Sequence, residues 1–243
     1  MLDRTRLGQS YALFTNTLNH TANNCNPVVA GEATMMGKEH FIETFGPPDW
    51  TISTGGSGGA YTSLQVADAF PGLIDGVWIQ ATFPDALSIA MAGLDTHLLM
   101  HYFTVTSPGK FTERQQVEIG GYAGMKAMID AANQAQRTDP TPGRPDIQGY
   151  GPGVWNTAVP PALRYDPVTN PKGARPTIFD AAKNVYGVNP ITGAALRPYD
   201  NTGVQYGLNA LNRGSITVEQ FLDLNEKIGG VDADSNYIPS RTV

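Results

Sequence analysis

Cysteine is almost absent. One residue of 243, Cys25, carries a thiol, which excludes an internal disulfide and any cysteine-built zinc knuckle. Long apolar runs are also missing, none approaching the ~18–20 residues that a membrane-spanning helix needs. Positive charge is scarce: 16 Lys+Arg stand against 22 Asp+Glu, a formal net charge of −6. Neither a basic stripe nor an acidic tail appears, so the chain is not expected to bind nucleic acid. The opening MLDRTRLGQS has no apolar centre and does not read as a signal peptide. Histidine is limited to positions 20, 40, 97 and 101, with none after His101. What remains is a mildly acidic, soluble globular chain, long enough for one sizeable core or for a core with an insertion.

The first 85 residues alternate between two periodicities. Tyr11 to Leu18 (YALFTNTL) is short and apolar at its start, and reads as a buried strand. GEATMMGKEHFIETFG places Met35, Met36, Ile42 and Phe45 at helical spacing before Gly46, Pro47 and Pro48 stop it. Asp49 to Thr54 reads as a strand, Ala60 to Phe70 as a helix, and Val77 to Ala81 as a strand. Strand and helix in alternation predict an α/β fold with a doubly wound parallel sheet.

Beyond Pro84 the character changes. Residues 86–103 and 112–136 read as helical, and 11 of the 18 prolines then fall between Asp139 and Tyr199. So dense a proline stretch cannot supply central strands. Its aromatics (Tyr150, Trp155, Tyr165, Phe179, Tyr186) argue for order, and a lid or cap laid over a sheet fits best. Thr217-Val-Glu-Gln220 is a capping box opening a helix with Phe221, Leu224 and Ile228 inward and Gly229-Gly230 as its stop. The expected organisation is a core segment over 1–85, a lid over 86–214, and a closing helix over 215–243 that begins a return to the core.

The sharpest chemical feature is Gly55-Gly56-Ser57-Gly58-Gly59, a G-x-S-x-G sequence between an expected strand and an expected helix. In that setting the motif makes a nucleophile elbow, in which a tight turn lifts the serine hydroxyl clear of the sheet. Glycines at both ends, Gly55 and Gly59, are expected because side chains there would collide with the neighbouring strand or helix. Ser57 is then the nucleophile, and the Gly58 N–H a donor to the oxyanion of a tetrahedral intermediate. Two alternatives stay open, a phosphate-holding turn at a helix N-terminus and a plain tight turn. Against the first, no G-x-x-x-x-G-K-[ST] is present, and Tyr61 stands where G-x-G-x-x-G needs its third glycine.

The partners of such a serine are hard to find. A catalytic histidine in this fold follows the nucleophile late in the chain, whereas His97 and His101 come soon after it, four apart on an expected helix. Their spacing resembles a zinc helix, but Leu98 replaces the required glutamate and no third ligand is evident, so structural roles are expected and no metal or cofactor. Nothing ties His20 or His40 to the elbow. Asp85 stands just past the third expected strand, either as a helix N-cap or as the acid of a triad. Asp232-x-Asp234-x-Asn236 begins like a calcium loop but puts Tyr237 where glycine is required.

Four segments together, MMGKEHFIETFGPPDWTISTGGSGGAY, FPGLIDGVWIQATFPDA, RYDPVTNPKGARPTIFDAAKNVYG and RPYDNTGVQYGLNALNRGSITVEQFLDLNEKIGG, resemble a bacterial family of tannase- or feruloyl-esterase-like α/β-hydrolases. The resemblance implies a secreted or periplasmic serine hydrolase acting on a small-molecule or polymeric ester, with Ser57 at the nucleophile position. It also implies that this sequence is the middle of a longer chain, since such proteins begin earlier and carry an aspartate and a histidine further on. Thr96 and Pro176 stand where many relatives have cysteine, so a disulfide bracing the lid is not expected. A non-catalytic ligand-binding domain on a hydrolase scaffold is the competing expectation, and a nucleotide-binding α/β domain a third.

Overall fold

The computed structural model describes residues 4–19, 26–83, 86–141 and 160–241. Among these the architecture is mixed α/β, and the chain divides into two compact units, Met1–Ala86 and Leu87–Val243.

The first unit is built on one parallel strand pair. Helix α1 (Arg4–Gly8) leads into an irregular stretch and a 3-10 turn at Thr17–Asn19, followed by α2 (Pro27–Phe45), β1 (Ile52–Gly56), α3 (Gly58–Ala69) and β2 (Gly76–Gln80). Helix α2 starts where the Asn26 side chain accepts from the N–H groups of Val28 and Val29, with Pro27 in the first turn. It ends at Gly46, whose φ of 87° suits glycine. Strands β1 and β2 run parallel, in a register that pairs Ile52 with Gly76 and Gly56 with Gln80. Asp75 fixes the start of that register, its carboxylate accepting from Thr51 N–H at 2.7 Å and its own N–H donating to Thr51 O. Helix α3 crosses over between the strands. It packs through Ala60, Ser63 and Val66, all buried. Helix α2 lies close against α3's end, and a Cβ at Gly31 would stand 1.9 Å from the Phe70 ring.

The strand expected over Tyr11 to Leu18 is not formed. Tyr11, Leu13 and Phe14 are exposed, and the segment lies along α2 instead. The Phe14 ring comes 2.8 Å from where a Cβ on Gly37 would be, and the Asn16 amide donates to Ala33 O. An apolar run becomes a strand only with a strand beside it to complete the hydrogen-bond ladder, and among the described residues this one has none. The parallel sheet therefore has two strands where three were expected.

The second unit is mainly helical. Helix α4 (Ala86–His101) runs into a π-helical turn, Tyr102–Thr106, and α5 (Glu113–Gly120), α6 (Met125–Ala132), α7 (Lys183–Tyr186), α8 (Leu208–Asn212) and α9 (Val218–Lys227) follow. The single helical stretch expected over 112–136 is broken at Gly121, which takes the left-handed conformation at φ 74° and closes α5. Helix α9 opens on the capping box of Thr217 and Gln220, as its sequence indicates, and buries Leu224. Ile228 and Val231 join Leu98, Tyr102, Met128 and Leu224 in the core. His97 and His101 are buried on α4, and the His101 ring stacks on Tyr237 at 3.9 Å. The chain ends in a short antiparallel pair, β3 (Gly230–Val231) with β4 (Tyr237–Ile238). At its tip Asp232 accepts from the N–H groups of Asp234 and Asn236 and from the Asn236 amide, so this acidic run is a self-capped turn.

The proline-rich segment is held by polar contacts where it is described. Arg175 pairs with Asp180 at 3.1 Å and Asp234 at 2.8 Å, and lies over the Tyr165 ring. Burial pushes the Asp180 carboxyl up, but hydrogen bonds from Thr177 and the Ala195 N–H, with the Arg175 charge, outweigh it and leave it lowered. Arg197 bonds Thr138 O at 2.6 Å and Ser235 Oγ at 2.7 Å. Burial, reinforced by the Arg175 charge, brings its guanidinium down to about 10.

Candidate active site

Strand β1 continues through Gly55 and Gly56, two residues further than its apolar part indicates, and helix α3 begins at Gly58. One residue, Ser57, makes the whole turn between them. Its backbone lies at φ 53° and ψ −117°, a region that L-residues other than glycine enter at a cost of about 1–3 kcal/mol. The turn is held on both sides. Ser57 N–H donates to Gln80 O at 3.2 Å, which extends the parallel ladder one step past Gly56, and Ser57 O accepts from Ala60 N–H and Tyr61 N–H.

Gly55 is required by contact. A Cβ there would stand 2.5 Å from the Gly59 carbonyl carbon and 2.8 Å from its Cα, both backbone atoms that cannot step aside. The expectation of a matching collision at Gly59 fails, because nothing lies within 4 Å of a Cβ at that position. Gly59 is the surface that Gly55 approaches, so the constraint belongs to Gly55. Gly56 is also roomy, its nearest neighbour being the Gln80 side chain at 3.4 Å.

The hydroxyl of Ser57 is exposed and makes no capping bond to α3. This is unusual chemistry for a serine at a helix start, where the oxygen normally accepts from the second or third N–H for about 1 kcal/mol. The helix in turn leaves the N–H groups of Gly58 and Gly59 unclaimed by the intrahelical ladder. An exposed serine hydroxyl therefore sits beside backbone donors at the positive end of a 12-residue helix.

Strand β2 ends in a second strained residue. Ala81, next after Gln80, has φ 47°. Both non-glycine left-handed residues of this βαβ unit thus stand at the carboxyl ends of its parallel strands, the edge where such sheets bind ligands. The Tyr61 ring, one turn into α3, stacks on Phe83 at 5.7 Å, and the Gln65 amide donates to the Tyr61 hydroxyl at 2.6 Å.

The other candidates are placed as follows. Gly55, Gly56, Ser57, Gly58 and Gly59 form one continuous corner. Asp85 and His20 lie outside the described residues. His40 is on α2, where it lines an apolar groove with Leu7, Leu13, Phe14, Phe41 and Phe45. His97 and His101 are core residues of the second unit, as their spacing on an apolar helix suggests. Thr96 spends its hydroxyl on Ala92 O and the Tyr122 hydroxyl. Residues that the sequence reading passed over are Thr62, Ser63 and Ser53, whose hydroxyls bond at the corner. Their signal was the spacing of Thr62 and Ser63, each four residues after one of the two glycines that follow Ser57.

The model of a tannase-like family of unknown function (DUF6351) matches residues 1–243. No curated protein and no solved structure gives a match. Among the described residues no helix is long and apolar enough to cross a membrane.

Proposed function

The chain belongs to this tannase-like family, and from that premise we propose that it is a serine hydrolase of carboxylic esters whose nucleophile is Ser57. The observation that carries the proposal is the Ser57 backbone. A serine at a helix N-cap that forgoes its cap, stays exposed and holds a strained φ of 53° breaks two local rules at one position. Such violations persist where the strain serves a function.

In this reading Ser57 Oγ attacks the ester carbonyl carbon and its proton passes to a general base. The carbonyl oxygen becomes an oxyanion that the Gly58 N–H receives. Collapse of the tetrahedral intermediate breaks the carbon–oxygen bond, and the alkoxide leaves as the alcohol, taking up that proton. Water then attacks the acyl group on Ser57, giving the acid and restoring the serine. The base and a second oxyanion donor come, in this proposal, from chain outside this sequence. Asp85, just past β2, is the candidate for the acid that orients the base. In this proposal the proline-rich segment serves as the lid and the enzyme works outside the cytoplasm, as expected from the family resemblance.

The test is capture by a fluorophosphonate probe. The chain extended at both ends by its flanking sequence should gain one adduct, mapped to Ser57, that Ser57→Ala abolishes. The isolated chain should turn over a p-nitrophenyl ester poorly, since removing triad members leaves only the contribution of binding and of the oxyanion hole. The same probe separates a second reading, a ligand-binding domain on a hydrolase scaffold. Absence of any adduct in the extended chain supports that reading instead.

A further inference from the structure

Three hydroxyls beneath the Ser57 corner take no part in the reaction just described, and we propose that Thr62, Ser63 and Ser53 are positioning residues for it. This rests on the reading of Ser57 as nucleophile. Thr62 Oγ1 donates to Gly58 O at 3.0 Å and Ser63 Oγ to Gly59 O at 2.8 Å. Ser63 is 4% exposed and its hydroxyl has a single proton, spent on Gly59. Ser53 Oγ, 2.7 Å from Ser63 Oγ, is therefore the donor of that pair. The relay runs one way, from strand β1 through helix α3 to the second glycine after the nucleophile.

Back-bonding of serine or threonine to the carbonyl four residues earlier gains little in an ordinary helix and tends to bend it. Here both acceptors are glycines in the first helical turn, where the backbone is freest and the propensity cost greatest. Each carbonyl is rigidly coplanar with the next N–H. Ser57 O, held by Ala60 and Tyr61, fixes the plane that carries the Gly58 N–H. Gly58 O, held by Thr62, fixes the plane that carries the Gly59 N–H, and Gly59 O, held by Ser63, fixes the next. Three successive peptide planes are pinned on their carbonyl side, with the first two N–H groups left facing the Ser57 end of the helix. Ser53 ties this stack to the strand that delivers Ser57. The main-chain bonds to Ser57 O aim the Gly58 N–H, and the hydroxyls of Thr62 and Ser63 hold the two peptide planes that follow it, steadying that aim and the Gly59 N–H from the helix side.

The experiment compares Thr62→Val, which keeps the shape and removes the hydroxyl, with Thr62→Ser, which keeps the donor, and with the double variant Ser53→Ala/Ser63→Ala, which leaves no orphaned partner. Two readouts are taken on the full chain: backbone carbonyl and amide NMR shifts of Ser57, Gly58 and Gly59, and the fluorophosphonate rate split into kinact and KI. Thr62→Val and the double variant should move those resonances and lower kinact on the order of tenfold with KI unchanged. Thr62→Ser should restore both. Resonances that stay in place while only the melting temperature falls would show a purely structural role and overturn the proposal. So would an unchanged kinact in a chain that does label. A wild-type chain that takes no label bears on Ser57 as nucleophile alone, and the resonances still decide the positioning role.

Discussion

Replacing Ser57 by glycine should make the protein more stable, not less. The serine sits at φ 53°, is exposed, and makes no capping bond, so the substitution removes neither a buried contact nor a cap. Glycine enters this backbone region freely. Relief of about 1–3 kcal/mol of strain is set against the greater unfolded-state entropy of glycine, about 0.4–1 kcal/mol. The net gain is about 1 kcal/mol, which for a unit of this size raises its melting temperature by about 4–8 °C. Ser57→Ala keeps the strain and removes only the hydroxyl, so its effect should stay within about 0.5 kcal/mol. Gly55→Ala is the opposite control. Its methyl would meet Gly59 backbone at 2.5 Å and should cost about 1–3 kcal/mol or more. Urea unfolding followed by circular dichroism measures all three. Loss of about 1 kcal/mol in Ser57→Ala, with no gain in Ser57→Gly, would mean that the hydroxyl caps α3, and the strained-nucleophile argument would fall.

Three further outcomes follow from the packing. Gly31→Ala puts a methyl 1.9 Å from the Phe70 ring and should lower stability by about 1–3 kcal/mol in the same urea assay. Thr217→Ala removes the oxygen that accepts from Gln220 N–H at the start of α9 and should cost about 1 kcal/mol, read as a lower melting temperature. The lowered Asp180 carboxyl gives the second unit an acid limb. A carboxylate whose folded pKa lies below its unfolded value of about 3.9 stabilises the fold above that pH, and its contribution is lost as pH falls through the folded value. Urea midpoints should drop below about pH 4, and Asp180→Asn should flatten that dependence; an unchanged slope would remove Asp180 from the account.

The corner was legible because its constraint is steric and local. A glycine followed four residues later by another, with serine between and helical sequence after, leaves few backbone solutions, and the observed one has Gly55 against Gly59. The capping box of α9 was legible for the same reason. What misled was context. Tyr11 to Leu18 has the composition of a strand but lies along α2, and composition does not reveal whether a partner strand is present. Residues 112–136 are helical in content, yet Gly121 stops the run by taking a conformation that propensity alone does not forecast. The roles of Thr62 and Ser63 were hidden because hydroxyls within a helix are ordinarily neutral, and only the positions of their acceptors give them meaning. The collision expected at Gly59 is absent because a close approach between two glycines constrains only the one whose Cβ points at the other.

The most direct test of the account is the mass of the protein after exposure to a fluorophosphonate. In the extended form proposed for it, the chain should gain one adduct that peptide mapping places on Ser57 and that Ser57→Ala removes. No adduct, or an adduct on another residue that survives Ser57→Ala, would contradict the claim that this corner carries a nucleophile.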